Sequence, residues 1–203
     1  MKKYILIVLV MLLFFLGCGS KSEQTEEQQS SDTNSEKYEQ QVNENTDRDN
    51  KLSSLGFLIP TQTISAPDFI LNNLEAHSIS LSSFRGKVVF INFWGTWCQY
   101  CLLEMPSIQR MYDQFKYKDF EVLAINVNDT PAAAKSYVKE NKLTFPVLLD
   151  LEYKASQTYG VRGFPTTYIV DKSGNLIGKL VGSREWDTPD VIEVLNTVIN
   201  NDH

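Results

Sequence analysis

The apolar positions of the chain fall into three regimes. Ile5 to Leu16 is an unbroken apolar run behind Lys2 and Lys3, and small residues follow at Gly17, Cys18, Gly19 and Ser20. A membrane-spanning helix needs about 20 apolar residues, so this shorter run with its basic start reads as an export signal. Residues 19–50 are mostly Ser, Glu, Gln, Asn, Asp and Thr, with almost no apolar positions. Such a segment cannot bury enough surface to offset its ordering entropy. A disordered acidic tether is therefore expected over residues 18–60, and a coil of about 40 residues reaches roughly 35 Å. Leu55, Phe57, Leu58 and Ile59 mark the approach to folded structure. The predicted organisation is a signal at 1–17, the tether at 18–60 and one folded domain at 61–203.

In the third regime the pattern alternates between strand and helix. Phe69–Leu71 and Ser78–Leu81 are short candidate strands around a turn at Asn72-Asn73. Val88–Phe93 (VVFINF) is continuous, apolar and β-branched, as expected of a strand buried on both faces. A helix is predicted from Cys98 to Phe115, where Met105, Ile108, Met111, Tyr112 and Phe115 recur at helical spacing. Pro106 lies inside it and should kink it. Val122–Val127 and Phe145–Leu149 are further strands. Thr130-Pro131 and Thr188-Pro189 each join a capping hydroxyl to a proline at the first helical position. They open helices to about Asn141 and Asn200. Ala155–Tyr159 is a short helix ended by Gly160, and Thr167–Val170 and Leu176–Val181 flank a hairpin turn at Lys172-Ser173-Gly174. This order implies an α/β domain with a mixed sheet covered on both faces.

The charge of the chain narrows its partners. The net charge is −6 over 203 residues, which argues against nucleic acid. Residues 19–50 hold nine acids against three bases, and Lys2 and Lys3 precede them, so residues 51–203 carry only −2. The acidity belongs to the tether and says nothing of a substrate. The three cysteines, Cys18, Cys98 and Cys101, are too few for a disulfide-stapled scaffold. The only histidines, His77 and His203, lack metal-ligand spacing to them, so no metal or other cofactor is expected. His77 reads as a surface loop residue and His203 as a chain end.

The chemistry concentrates at Trp97-Cys98-Gln99-Tyr100-Cys101, where strand passes into helix. Two intervening residues set the cysteines one helical turn apart, so a disulfide closes without backbone movement. Cys98 falls at the helix N-terminus, where unpaired N–H groups and the helix dipole favour a thiolate. It is the expected nucleophile, attacking a substrate disulfide, and Cys101 then attacks Cys98 to release reduced substrate. The same steps reversed oxidise a dithiol. A purely structural disulfide is the plainer alternative, yet so small a loop hardly restricts the unfolded chain. Glu104, three residues beyond Cys101 on nearly the same face, could exchange a proton with the thiols or merely complement the helix dipole. Trp94 and Trp97 read as packing and rim residues, with Trp97 shielding the disulfide.

Several stretches resemble one family. Ala66-Pro67-Asp68-Phe69, Gly86-Lys87-Val88-Val89, Asn92-Phe93-Trp94-Gly95-Thr96-Trp97-Cys98 and Cys101-x-x-Glu104-x-Pro106 are similar to the TlpA/ResA group of membrane-anchored thioredoxin-like proteins. Gly163-Phe164-Pro165-Thr166-Thr167 resembles the cis-proline loop of that fold. The resemblance implies a thioredoxin-like fold with an added N-terminal β-hairpin, and thiol–disulfide exchange outside the cytoplasmic membrane. It also implies that Pro165 receives an extended substrate, with Trp97 and Phe164 as further substrate contacts. Apocytochrome c awaiting haem is a frequent substrate in the group; other members reduce thiols of the spore envelope or the envelope at large. Asn92 stands where cytoplasmic thioredoxins carry a buried aspartate, and an amide cannot accept a proton. That role would fall to Glu104 or water. Gln99-Tyr100 departs from the common Glu-Pro or Gly-Pro pair, and proteins of the wider fold span about −270 to −120 mV, so the pair does not fix the direction of exchange.

Phe15-Leu16-Gly17-Cys18 in turn resembles a bacterial lipoprotein signal, which makes Cys18 the lipid-bearing residue and places the domain on the outer side of the cell membrane. The expected partners are disulfide-containing envelope proteins, the membrane through the lipid, and a membrane thiol transporter as electron donor, because the compartment is otherwise oxidising. Three competing readings remain: an envelope oxidase or isomerase, a peroxiredoxin-like peroxidase, and a non-catalytic binding lipoprotein. The Trp-Cys-x-x-Cys arrangement opposes the peroxidase, and the retention of both cysteines opposes the binding module.

Overall fold

A computed structural model of the chain describes residues 39–40, 42–43 and 45–201. The export signal, Cys18 and His203 lie outside the described residues. The chain divides into a unit of residues 1–44, in which the four described residues are helical and exposed, and a unit of residues 45–203. No helix of the described residues is long and apolar enough to cross a membrane.

Eight strands of the second unit form one sheet in the order β1-β8-β7-β4-β5-β6-β2-β3. They are β1 Ile64–Ser65, β2 Ile70–Asn73, β3 Ser78–Ser80, β4 Val88–Trp94, β5 Phe120–Val127, β6 Val147–Asp150, β7 Thr166–Val170 and β8 Asn175–Val181. β4, β5 and β6 run parallel, while β7, β8 and the β2–β3 hairpin pair antiparallel. The helices are α1 at residues 45–54, α2 Gln99–Phe115, α3 Pro131–Glu140, α4 Lys154–Thr158 and α5 Pro189–Asn201. The added hairpin is β2–β3, docked on β6 at one end of the sheet.

β4 shows why a continuous apolar run was needed. All seven residues are buried, and alternate side chains serve two cores. Val88, Phe90 and Trp94 join the core beneath α2 and α5, while Val89, Ile91 and Phe93 join the opposite one with Phe69, Leu81 and Tyr159. Asn92 shares the first face, so its amide points toward α2. α2 buries Met105, Ile108, Met111 and Phe115 on that core, worth about 1.5–3 kcal/mol each.

α2 runs unbroken through Pro106. A proline cannot donate to the carbonyl four residues back, which here is that of Leu102. The Tyr137 hydroxyl of α3 donates to that carbonyl at 3.3 Å. α3 starts as its sequence requires, with the Thr130 hydroxyl accepting from Ala133 N–H ahead of Pro131.

Two expectations are corrected. Residues 45–60 are not tether: α1 buries Leu52 completely, Lys51 reaches the Thr197 hydroxyl at 3.3 Å, and Leu58 pairs with Lys179 of β8. Phe57 packs where Gly178 leaves room, since a Cβ there would meet its ring at 2.9 Å. One buried leucine in an otherwise polar helix gave too little periodicity to read. Asn72-Asn73 is also not the hairpin turn but the end of β2. The turn follows it, and the Asn73 side chain organises it by accepting from the N–H groups of Glu75 and His77 at 3.0 and 2.9 Å. His77 is exposed there.

Candidate active site

The loop between β4 and α2 is held before the first cysteine is reached. Asp129, just past β5, accepts from the Thr96 N–H and the Thr96 hydroxyl, both at 2.7 Å, and from Asn126 Nδ2 at 2.7 Å. The Trp97 indole donates to the Val127 carbonyl at 3.2 Å. Gly95 makes that pose possible, because a Cβ there would lie 2.5 Å from the indole.

Cys98 is the N-cap of α2 and Cys101 lies in its first turn; the two are joined as a disulfide with Cα atoms 5.3 Å apart. The Cys98 sulfur accepts from the Cys101 N–H at 3.2 Å. That donor is one of the helix-terminal N–H groups that would stabilise negative charge on Cys98 after reduction. Exposure separates the two sulfurs: Cys98 is 8% exposed and Cys101 is sealed. Trp97, Tyr100 and Leu103 stand exposed around them. The Trp97 ring meets Phe164 edge-on at 4.9 Å, so the Phe164 loop borders the disulfide. The Phe164–Pro165 bond is cis, and Pro165 is buried. The structure therefore gathers Trp97, Cys98, Cys101 and Phe164 at one place, with Pro165 next in chain.

Glu104 lies beneath, on α2 one turn past Cys101, and is 1% exposed. Its Oε1 accepts from Asn92 Nδ2 at 2.8 Å, and its Oε2 from Trp186 Nε1 at 2.9 Å and from Arg184 N–H at 3.3 Å. Asn92 Nδ2 also reaches the Thr167 hydroxyl of β7 at 3.0 Å. Burial disfavours the carboxylate and the three donors favour it. Burial prevails, and the Glu104 carboxyl is pushed up to about 7. Glu104 lies beyond the first turn of α2 and out of solvent, so it is not placed as a surface glutamate answering the helix dipole. Asn92 serves as a donor to the Glu104 carboxyl group.

Trp186 was not identified from the sequence. It is a lone tryptophan in the polar stretch Ser183–Asp187, with no periodic pattern around it. Asp129 was also missed; its only local trace is that it precedes the Thr130-Pro131 helix start. Among the described residues no three Cys, His or carboxylate side chains gather as a metal site.

A model of the AhpC/TSA family matches residues 64–178. The thiol-disulfide oxidoreductase ResA of Bacillus thuringiensis subsp. konkukian is 41% identical over 119 residues, 59% of this chain and 69% of the relative. ResA of Bacillus subtilis is 36% identical over 118 residues, 58% of this chain and 66% of the relative. A solved thiol:disulfide interchange protein of the thioredoxin family, from Chlorobium tepidum, superposes with a TM-score of 0.61 at 27% identity, covering 70% of this chain and 99% of its own. The mixed sheet with flanking helices is thus thioredoxin-like.

Proposed function

The chain belongs to the AhpC/TSA family, and from that membership we propose that it is an extracytoplasmic thiol–disulfide oxidoreductase working through Cys98 and Cys101. It reduces protein disulfides. The observation that carries this reading is the asymmetric disulfide at the start of α2: a slightly exposed Cys98 holding a helix-terminal N–H, and a sealed Cys101 behind it.

In the dithiol state the Cys98 thiolate attacks one sulfur of the substrate disulfide. A mixed disulfide forms and the other substrate sulfur leaves as thiolate. Cys101 then loses its proton, attacks the Cys98 sulfur and releases the second substrate thiol. Two electrons pass from the protein to the substrate, and the disulfide between Cys98 and Cys101 is restored. Glu104, buried on the same helix face as Cys101, takes the Cys101 proton; a group near pH 7 accepts and returns protons there with little free-energy cost. Trp97, Phe164 and Pro165 receive the substrate chain beside Cys98.

The domain operates on the outer side of the cell membrane, lipid-anchored through Cys18. Its substrates are envelope proteins with paired cysteines, apocytochrome c first among them, and electrons reach it from a membrane thiol transporter. Replacing the resolving cysteine tests the mechanism. In cells, Cys101→Ser should accumulate reducible adducts on Cys98 with envelope proteins that carry paired cysteines. Adducts on Cys98→Ser but not on Cys101→Ser would reverse the two roles. Adducts on neither, with no disulfide reduction by the purified wild type, would leave a binding module.

A further inference from the structure

Trp186 is 1% exposed, and both of its N–H groups are committed. Its indole N–H donates to Glu104 Oε2 at 2.9 Å, and its backbone N–H donates to the Ser107 hydroxyl at 3.0 Å. Ser107 in turn donates to the Glu104 carbonyl at 2.8 Å. One residue of the β8–α5 loop thus grips both the side chain and the main chain of the Glu104 turn. The ring is fixed from its other sides by Phe90 edge-on at 4.7 Å, Phe57 at 6.1 Å and the Arg184 guanidinium at 5.5 Å. Arg184 is itself tied to the residue that follows α1, because its Nη1 donates to the Leu55 carbonyl at 2.7 Å.

We infer that Trp186 is a positioning residue for the redox reaction: its indole N–H orients the Glu104 carboxylate and sets how readily that group holds a proton. The inference rests on the proton-acceptor role given to Glu104 above. The other groups around the carboxylate cannot substitute for it. Asn92 of β4 is neutral and shared with Thr167 of β7. Cys101 is on α2 itself. Arg184 offers its backbone N–H, while its guanidinium faces Leu55 of the α1 end and Asp190 of α5 at 3.6 Å. Glu185 and Asp187 of the loop pair with Arg110 of α2, and Asp47 and Lys51 of α1 pair with each other. Among the described residues, Trp186 supplies the one side-chain donor to Oε2.

A donor to a carboxylate favours its charged form. Trp186→Phe keeps an aromatic ring, though a smaller one, and removes the N–H, so Glu104 should hold its proton to higher pH. Difference infrared spectroscopy on the oxidised full-length chain, where Cys98 and Cys101 do not titrate alongside, follows the protonated carboxyl band; Glu104→Gln identifies the band by its loss. The midpoint in Trp186→Phe should rise by about one pH unit, and the acid limb of the rate of disulfide reduction should rise with it. An unchanged midpoint overturns the inference. A midpoint that rises while the rate limb stays put upholds the positioning by Trp186 and removes the proton-acceptor role of Glu104. If Trp186→Phe does not fold, ¹⁵N-tryptophan spectra of the wild type decide. The Trp186 indole signal should move with the Glu104 titration and be flat in Glu104→Gln; a flat signal in the wild type overturns the inference.

Discussion

Two carboxyl groups are buried to the same depth in this domain, and they serve opposite ends. Asp150 ends β6 and turns its oxygens onto the start of α4, accepting from the N–H groups of Ala155 and Ser156 at 3.2 and 2.8 Å. Those donors need a partner in any case, because the first turn of a helix leaves them unpaired. Glu104 sits inside a helix whose own N–H groups are already spent, and is met by the Asn92 and Trp186 side chains and by one loop N–H. Asp150 closes an unavoidable gap in the backbone. Glu104 creates a demand that the rest of the fold has to meet, one helical turn past a disulfide. A buried carboxylate is therefore informative only once its donors are known.

The largest test of this contrast is the pH dependence of stability. Glu104 is pushed up to about 7 in the folded state from an ordinary 4.5. Between those values the native state holds a proton that the unfolded state has lost. Stability from this group is complete below about pH 4.5 and falls as pH rises to about 7, by about 3 kcal/mol in all. Glu104→Gln removes that slope. In urea unfolding, the variant should gain on the wild type by about 3 kcal/mol between pH 4 and pH 8. Equal slopes would mean that burial does not govern Glu104.

Asp150→Ala probes the other side of the contrast. It leaves two buried N–H groups unpaired and should cost about 2 kcal/mol at neutral pH, while the reduction rate per folded molecule stays within about twofold. A large loss of rate would place Asp150 with the chemistry and break the distinction. The smallest effect is expected at the surface, where Arg110 pairs with Asp187 and Glu185 beside Trp186. Exposed pairs contribute little. Arg110→Ala should cost less than about 1 kcal/mol by urea unfolding and leave the Glu104 titration in place. A displaced titration would show that the loop depends on its outer charges.

The contrast also explains what could be read in the chain. The redox pair, the strand before it and the cap of α3 were legible because each is local: Cys98 and Cys101 share one turn, β4 is one apolar run, and Thr130 is followed by Pro131. The limits of α2 shifted by a single residue, from Cys98 to Gln99, since the cysteine caps the helix. The surroundings of Glu104 were not legible. Asn92, Trp186 and Arg184 come from two distant segments, and nothing near Trp186 marks it as a partner 82 positions away. α1 was hidden for a related reason: its polar residues match those of the preceding segment, and its burial rests on Leu52 alone.

Pro106 has an effect beyond its own helix. By withholding an N–H it passes the Leu102 carbonyl to Tyr137, so a bond that would have stayed within α2 links α2 to α3. From Tyr137 the main chain runs back along α3 to Asp129, which grips Thr96, and Thr96 leads through Cys98 to Leu102 again. The path is a closed hoop of main chain and hydrogen bonds, and none of its links passes through sulfur. Cutting the disulfide therefore leaves the hoop whole, and the two thiols remain facing each other, ready to close again.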